Sequence, residues 1–543
     1  MSGLVQGLFD RVINIRDRER REQLLILIGL FLFSFVLYGS TMSRGITWLN
    51  TGQDGGDFIS AARSFGVPHP TGYPTYTLLL RAFGDVVAIG DHAFRANLFS
   101  ALAGALTVPF VYVAALRLVG WLPVREVGGS GSVRGAAVLT ALAFATSRLF
   151  WEQSTITEVY TLNALFGSML LVLAFGVVRD LSAEGSSIRN RTLMAFLLGF
   201  GLGNHTTLGL AAAPFGVWVL WLVWKRFGWR GVLDWRPVVG LLAGLSIYVY
   251  VPIAAAAHPI VAWGSPTSFE GFRWIVSGTI YRPYAFGLEN VELSGRIATI
   301  AELLFTQFTV VGTVIGIAGL TTIWSYSKAF VIAAVASAAT ITVYAVTYNT
   351  VDSFIYLISV FMLFSLWFGI GTAVLGQGVR RFVLRTPSLR TYDRQLFVGV
   401  FVLVALVVPI WSVASGWSEV DISGDDSPAK YVEATIASAA GGVVLAEEPQ
   451  LFALVYESQV GSPDLDVMVV APLLLQHDWY WDQLAQYYGD RMPAERPGSF
   501  LDRVDSVVAQ NLGLVPVYTT HDDKAYHDGF TLIAEGDLFR VEF

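Results

Sequence analysis

The chain has 543 residues, of which 54% are hydrophobic and 14% charged. A soluble domain carries about 25% charged residues, so this composition excludes a wholly water-soluble protein and places most of the chain in lipid. The net charge of −7 is divided unevenly: residues 416–543 hold 22 acidic and 6 basic side chains, against 20 and 29 in residues 1–415. An acidic tail behind a basic body argues against a nucleic-acid partner. The lack of cysteine excludes disulfides, thiolate catalysis and Cys-ligated metal.

Residues 1–23 carry Arg11, Arg16, Arg18, Arg20 and Arg21, with Leu4, Leu8, Val12 and Ile15 at helical spacing. They predict a cytoplasmic amphipathic helix at the membrane surface. The apolar run 24–41 reads as a first membrane helix rather than a cleaved signal. That puts the polar loop 42–95 outside, with a short interfacial helix over 75–88. Membrane helices are then expected over 96–116, 135–149 and 159–178, and as two short helices within 192–224 that meet near His205. Others are expected over 237–256, 297–323, 329–347, 354–377 and 396–414. Basic residues fall in alternate loops: Arg117 to Arg134 (with a flexible Gly/Ser run at 128–132), Arg179 to Arg191, Lys225 with Arg226, and Arg380 to Arg394. This pattern supports the parity of the count.

Eleven crossings from a cytoplasmic start leave residues 416–543 outside. Apolar runs at 442–446, 466–470, 515–518 and 539–543 alternate with helical stretches at 431–440 and 451–460, which predicts a small α/β domain. No Gly-rich phosphate loop follows the first of these strands, so nucleotide binding is not expected. The expected fold class is mainly α: a polytopic membrane protein of about 11 transmembrane helices over 24–415, plus a small C-terminal extracytoplasmic α/β domain.

The functional expectation rests on polar residues beside lipid. Asp54 and Asp57 are three apart and share a face if helical. His69 stands between Pro68 and Pro70, which display it rigidly. A partly desolvated carboxylate makes an effective base, and His69 would position a donor phosphate or orient Asp54. The plainer reading of Asp57 is a helix cap. Arg95 opens the next helix, and its guanidinium fork suits a lipid-linked phosphate; snorkelling at the interface explains it equally well. Glu158 lies where charge is costly, close to Tyr160 and Asn163. Asn204 and His205 interrupt an apolar span, as a helix–helix hydrogen bond or as part of a site. Trp263, Tyr281, Tyr348 and Asp352 complete the outward-facing set. Aromatics with carboxylates suit sugars, although aromatic-belt residues read the same way. No metal site is expected.

Several stretches in order carry a resemblance: Asp54-Gly-Gly-Asp-Phe with Val67-Pro-His69-Pro-Thr-Gly-Tyr-Pro, Arg95-Ala-Asn97, Phe150-Trp-Glu-Gln, Glu158-Val-Tyr-Thr-Leu-Asn163, Gly203-Asn-His205, Trp263-Gly-Ser-Pro266 and Tyr348-Asn-Thr-Val-Asp352. Together they resemble the membrane family known as domain of unknown function 2723. That family is similar to the protein O-mannosyltransferases, which have a class C glycosyltransferase fold. The resemblance implies that Asp54 is the catalytic base and that Arg95 contacts the donor phosphate. Three positions depart from the pattern: Asp57 stands where Glu is usual, Thr71 replaces a second Pro, and Ala254 stands where relatives often carry Arg.

The function expected is an inverting transfer of a sugar, mannose or another hexose, from a polyprenyl-phosphate donor to a hydroxyl on a protein or glycan acceptor. It would take place on the extracytoplasmic side, with the lipid-linked sugar as substrate and no other cofactor. A transporter or flippase of lipid-linked sugars or small solutes, or a non-catalytic scaffold, are the alternatives. The sequence leaves the oligomeric state open.

Overall fold

The structure is a computed structural model. It describes residues 2–121, 125–288, 290–388, 391, 393–462, 466–522 and 529–543. Helices α1 (Ser2–Thr41), α2 (Gly55–Ser64), α3 (Pro74–Val86), α4 (His92–Trp121), α5 (Arg125–Ala145), α6 (Arg148–Gln153), α7 (Tyr160–Ser182) and α8 (Ile188–Leu202) build the first half. Then follow α9 (Thr207–Val232), α10 (Trp235–Leu245), α11 (Tyr250–Ala256), α12 (Phe269–Val276), α13 (Asn290–Tyr326), α14 (Lys328–Thr347), α15 (Ile358–Arg385) and α16 (Asp393–Val420).

Among the described residues eight helices are long and apolar enough to cross a membrane: Glu19–Thr41, His92–Gly120, Tyr160–Ser182, Thr207–Val232, Trp235–Ala256, Glu292–Tyr326, Lys328–Thr347 and Ser353–Arg385. Helices α5, α8 and α16 fill the remaining positions that hydropathy assigned. The interrupted span resolves into α8 and α9, which meet at Gly203-Asn204-His205 as expected. Three details differ. The Gly/Ser run at 128–132 lies inside α5 instead of a loop. The helix expected over 135–149 stops at Ala145, because Ser147 is extended and the Leu149 N–H is donated to Gln307 Oε1 at 3.0 Å. The last membrane helix runs on to Val420. The amphipathic reading of residues 1–23 falls largely on side chains outside the described ones.

Small residues let the long helices approach. At the α13–α15 crossing, a Cβ at Gly319 would collide with the Trp367 carbonyl, and one at Gly371 with the Ile315 carbonyl. Only glycine permits backbones this close, a packing device used where lipid supplies no hydrophobic drive.

The C-terminal unit comprises α17 (Ser427–Ala439), β1 (Val443–Leu445), α18 (Gln450–Tyr456), β2 (Met468–Val470), α19 (Asp478–Tyr488), α20 (Phe500–Asn511), β3 (Val517–Thr519), β4 (Thr531–Glu535) and β5 (Leu538–Glu542). The sheet order is β2-β1-β3-β5-β4; β1 is parallel to β2 and β3, while β5 is antiparallel to β3 and β4. Strand β4 had no signal in the sequence reading.

Successive strand side chains alternate faces. Val443, Leu445, Met468, Val470 and Val517 enter one core with Val504, Val507 and Val508 of α20. Val444, Val469 and Tyr518 enter another, which also contains Val67, Val261 and Trp263 from loops of the helical body and Ile275 from α12. Strands β1, β2 and β3 are therefore buried on both faces, one of which packs against the helical body, while the edge strand β4 is largely exposed.

Candidate active site

The first site element is the turn before α2. Asn50 and Thr51 adopt left-handed backbone, with φ of 54° and 65°, a conformation that costs energy and is held by its surroundings. Here the holder is Gln153, whose Nε2 donates to the Asn50 carbonyl at 3.0 Å and to Thr51 Oγ1 at 3.2 Å. Asn50 Nδ2 in turn donates to Thr155 Oγ1 at 3.1 Å. Trp151, beside Gln153 in sequence, is pinned by its indole N–H to Thr41 Oγ1 at 2.9 Å. The Phe150-Trp-Glu-Gln stretch thus shapes the turn that presents Asp54 at the N-terminus of α2.

One turn further on, Asp57 is buried. Its Oδ2 accepts from the His69 backbone N–H and from His69 Nδ1, both at 2.8 Å, and its Oδ1 accepts from the Trp263 indole at 3.1 Å. This carboxylate fixes the tautomer and tilt of the imidazole. The other ring nitrogen, Nε2, then lies 3.7 Å from Asp54 Oδ2. A parallel bridge between Val67 and Ala262 ties the Pro-His-Pro loop to the Trp263 segment. Phe58 and Tyr73 close around the imidazole at centroid distances of 4.9 and 5.1 Å.

The two aspartates therefore differ. The Asp54 side chain is 32% exposed and that of Asp57 3%. Burial raises the Asp54 carboxyl; the positive His69 opposes this, while Asp352 and Asp57 add to it, and the result is about 6. Burial alone would push His69 down, but the Asp54, Asp57 and Glu448 carboxylates outweigh it and hold the imidazole at about 9. At neutral pH the arrangement is a charged imidazolium between two carboxylates, one structural and one open to solvent.

Asp54 and His69 line a cavity of about 1490 Å³ including its mouth. The structure brings Tyr160, His205, Tyr281, Tyr348 and Asp352 to the same cavity. His205 accepts at Nδ1 from the Thr207 N–H at 3.2 Å, which leaves Nε2 as the protonated nitrogen. Burial, and then the charge of His69, push it down to about 4, so it is neutral. Its ring neighbours are Tyr160, Tyr356 and Tyr73 at 5.4–5.9 Å.

Five expected residues do not line it, and Asp57, held behind His69, is the first. Trp263 acts from behind, through Asp57. Asn163 is buried and reaches Thr207 Oγ1 at 3.4 Å, one step from His205. Glu158 is 3% exposed, accepts from the Val159 N–H at 3.2 Å, and is raised well above the usual carboxyl range, chiefly by burial. Arg95 departs most. Its guanidinium donates to the carbonyls of Gly84, Ile89 and Gly90 at 2.9–3.2 Å. It closes the loop ahead of α4, and the phosphate capture read from sequence has no counterpart at the cavity.

Other cavity residues went unread in sequence. Tyr73, Tyr356 and Arg282 line it, and so does Glu448 from the C-terminal unit. Burial and the nearby Asp54 push the Glu448 carboxyl up to about 7. Phe452 of α18 stacks beside His69 at 6.3 Å and 23°. Arg282 was not singled out beside the expected Tyr281, and Glu448 was one of many tail carboxylates. Among the described residues no group of three or more His, Asp or Glu side chains could hold a metal ion.

Comparisons with known proteins bear on the family and the fold. Residues 54–227 match the family model described as the protein O-mannosyl-transferase TMEM260 N-terminal domain. The chain is 33% identical over 276 residues, half its length, to the mouse protein O-mannosyl-transferase TMEM260. It is 26% identical over 318 residues, 55% of its length, to the Dictyostelium discoideum protein of the same name. In each case the match spans 36% of the relative. Among solved structures, ArnT from Cupriavidus metallidurans bound to undecaprenyl phosphate aligns with a TM-score of 0.52 at 14% identity, covering 95% of this chain and 97% of ArnT. The Archaeoglobus fulgidus oligosaccharyltransferase AglB, in complex with an inhibitory peptide and a dolichol-phosphate, aligns at 0.53 and 10%, covering 92% and 70%. The chain is a multi-pass membrane protein of the class C glycosyltransferase fold, and over residues 54–227 it is similar to the TMEM260 O-mannosyl-transferases.

Proposed function

We propose that this protein is a membrane glycosyltransferase that moves a hexose, mannose first among candidates, from a polyprenyl-phosphate donor to an acceptor hydroxyl with inversion. The observation that carries the proposal is Asp54: a half-buried carboxylate, raised to about 6 and set 3.7 Å from an oriented imidazolium, at the wall of a tyrosine-rich cavity. A base with a pKa just below working pH is ionised and still takes a proton readily. In the step proposed, Asp54 accepts the acceptor hydroxyl proton as the oxygen bonds to the anomeric carbon. The bond from that carbon to the phosphate oxygen breaks, and its electron pair leaves with the polyprenyl phosphate.

Arg282, exposed in the cavity and donating to Ser277 Oγ at 3.2 Å, replaces Arg95 as the residue we assign to the departing phosphate. The carboxylates of Asp54, Asp352 and Glu448 disfavour acidic sugars. The alternation of basic loops supports an extracytoplasmic cavity and C-terminal unit, residues 416–543, with residues 24–415 assigned as the transferase body. The undecaprenyl phosphate bound by ArnT and the dolichol-phosphate bound by AglB fit a lipid-linked donor. The test uses purified protein with polyprenyl-phosphate mannose labelled in the sugar. Release of polyprenyl phosphate together with an inverted glycoside supports the assignment. Solute movement in vesicles with no sugar released would overturn it.

A further inference from the structure

Glu448 belongs to the C-terminal unit, far in sequence from the rest of the cavity, and its position is built. The Ala446 N–H donates to the Val470 carbonyl at 2.8 Å, and the Glu447 N–H to Thr520 Oγ1 at 3.3 Å. The segment is thereby fixed beyond the carboxyl ends of the parallel strands β1, β2 and β3. In open α/β sheets this is where ligands bind.

Helix α18 follows and seats on α2. At Gly56 a Cβ would collide with the Phe452 carbonyl, so glycine there lets the C-terminal unit close onto the Asp54 turn. The docked unit brings the Glu448 side chain into the cavity lined by Asp54 and His69. Among the described residues its carboxylate has no hydrogen bond and no ion pair of its own. The charged and titratable groups acting on it are Asp54, His69, Asp57 and Asp352, three of them acidic. A carboxylate so placed contributes nothing to holding the fold, and is suited to a ligand that brings a hydrogen-bond donor.

We propose that Glu448 is a positioning residue for the acceptor: it accepts a hydrogen bond from the N–H or O–H groups of a Ser/Thr-bearing polypeptide segment and holds the reacting hydroxyl against Asp54. The assignment rests on the glycosyltransferase reading above. The acceptor side follows from the geometry. A donor's lipid tail must lie along the membrane helices, at whose ends Tyr160, His205 and Tyr356 line the cavity. Glu448 comes instead from the C-terminal unit, the side from which a soluble acceptor would enter.

The test measures the full chain in lipid nanodiscs with labelled polyprenyl-phosphate mannose. Acceptors are a pool of Ser/Thr peptides, methyl α-mannoside, or water alone. Glu448→Gln is expected to raise the peptide KM about tenfold or more, the worth of one charge-assisted hydrogen bond. Donor hydrolysis by water should fall far less than transfer to peptide, and Glu448→Asp should recover part of the loss. Thermal unfolding of each variant checks folding. An unchanged peptide KM in Glu448→Gln overturns the proposal, as does an equal fall in donor hydrolysis, or transfer to methyl α-mannoside with none to peptide. Asp54→Asn in the same assay separates the two claims. If the parent releases no sugar from the donor, the glycosyltransferase reading itself falls; if Asp54→Asn keeps its turnover, the base assignment falls; if the parent transfers sugar to peptide and Glu448→Gln matches it, only the role of Glu448 falls.

Discussion

Asp57 does not reach the cavity, yet replacing it with asparagine should cripple turnover. The carboxylate accepts three hydrogen bonds, two from His69 and one from Trp263. An asparagine of the same shape has one acceptor oxygen and sets an amide N–H among those donors, so at least one bond becomes a donor–donor clash. A hydrogen bond to a charged partner contributes about 1.5–3 kcal/mol. If that loss is felt in the transition state through a mis-set imidazole, kcat falls about 10- to 150-fold. The same change lowers His69, which its carboxylates hold at about 9. His205 shows the direction, since burial without a carboxylate partner takes it to about 4. The alkaline limb of activity should therefore move down by about one pH unit or more, at about 1.4 kcal/mol per unit. Initial rates of labelled-sugar transfer between pH 5.5 and 10, with unfolding temperatures in parallel, measure both effects. A folded Asp57→Asn protein with kcat within about twofold of the parent and an unmoved alkaline limb would refute the reasoning.

Three further outcomes are expected. In the parent, kcat/KM should rise with pH through about 6, as Asp54 ionises, and fall through about 9, as His69 loses its proton; a flat profile across both would count against this pair. Gly56→Ala should destabilise the docked C-terminal unit by about 1–3 kcal/mol through overpacking against Phe452, read as a lower unfolding temperature and faster proteolysis after α16. Arg282→Ala should raise donor KM about tenfold, the worth of one charge-assisted contact, whereas Arg95→Ala should lower stability and leave donor KM alone; the reverse pattern would restore the sequence-based role of Arg95.

The helical body was readable from sequence because hydropathy and the alternation of basic loops report the same quantity, the transfer of each segment between lipid and water. The Asp54 to Pro74 stretch was readable because carboxylates and a histidine beside an apolar helix are costly without a role. What could not be read is tertiary. The resemblance favoured Asp54 over Asp57 as base, but the cause of the difference is not local: the Trp263 indole and the His69 loop, folded back from elsewhere, bury one carboxylate and leave the other open. Arg95 has the same sequence signature whether it grips a phosphate or caps a loop. The tail has 22 acidic residues, and only the docking of α18 onto α2 singles out Glu448. The strand alternation in β1 was legible; that the second sheet face would be covered by the helical body was not.

The central claim is that Asp54 takes the acceptor proton, and Asp54→Asn tests it most directly. The amide keeps the shape of the side chain and removes the base. With labelled polyprenyl-phosphate mannose and acceptor peptides at pH 7.5, the account predicts a loss of about 10²–10⁴-fold in transfer rate, at an unfolding temperature close to that of the parent. A folded Asp54→Asn protein that transfers sugar within about threefold of the parent rate would contradict it.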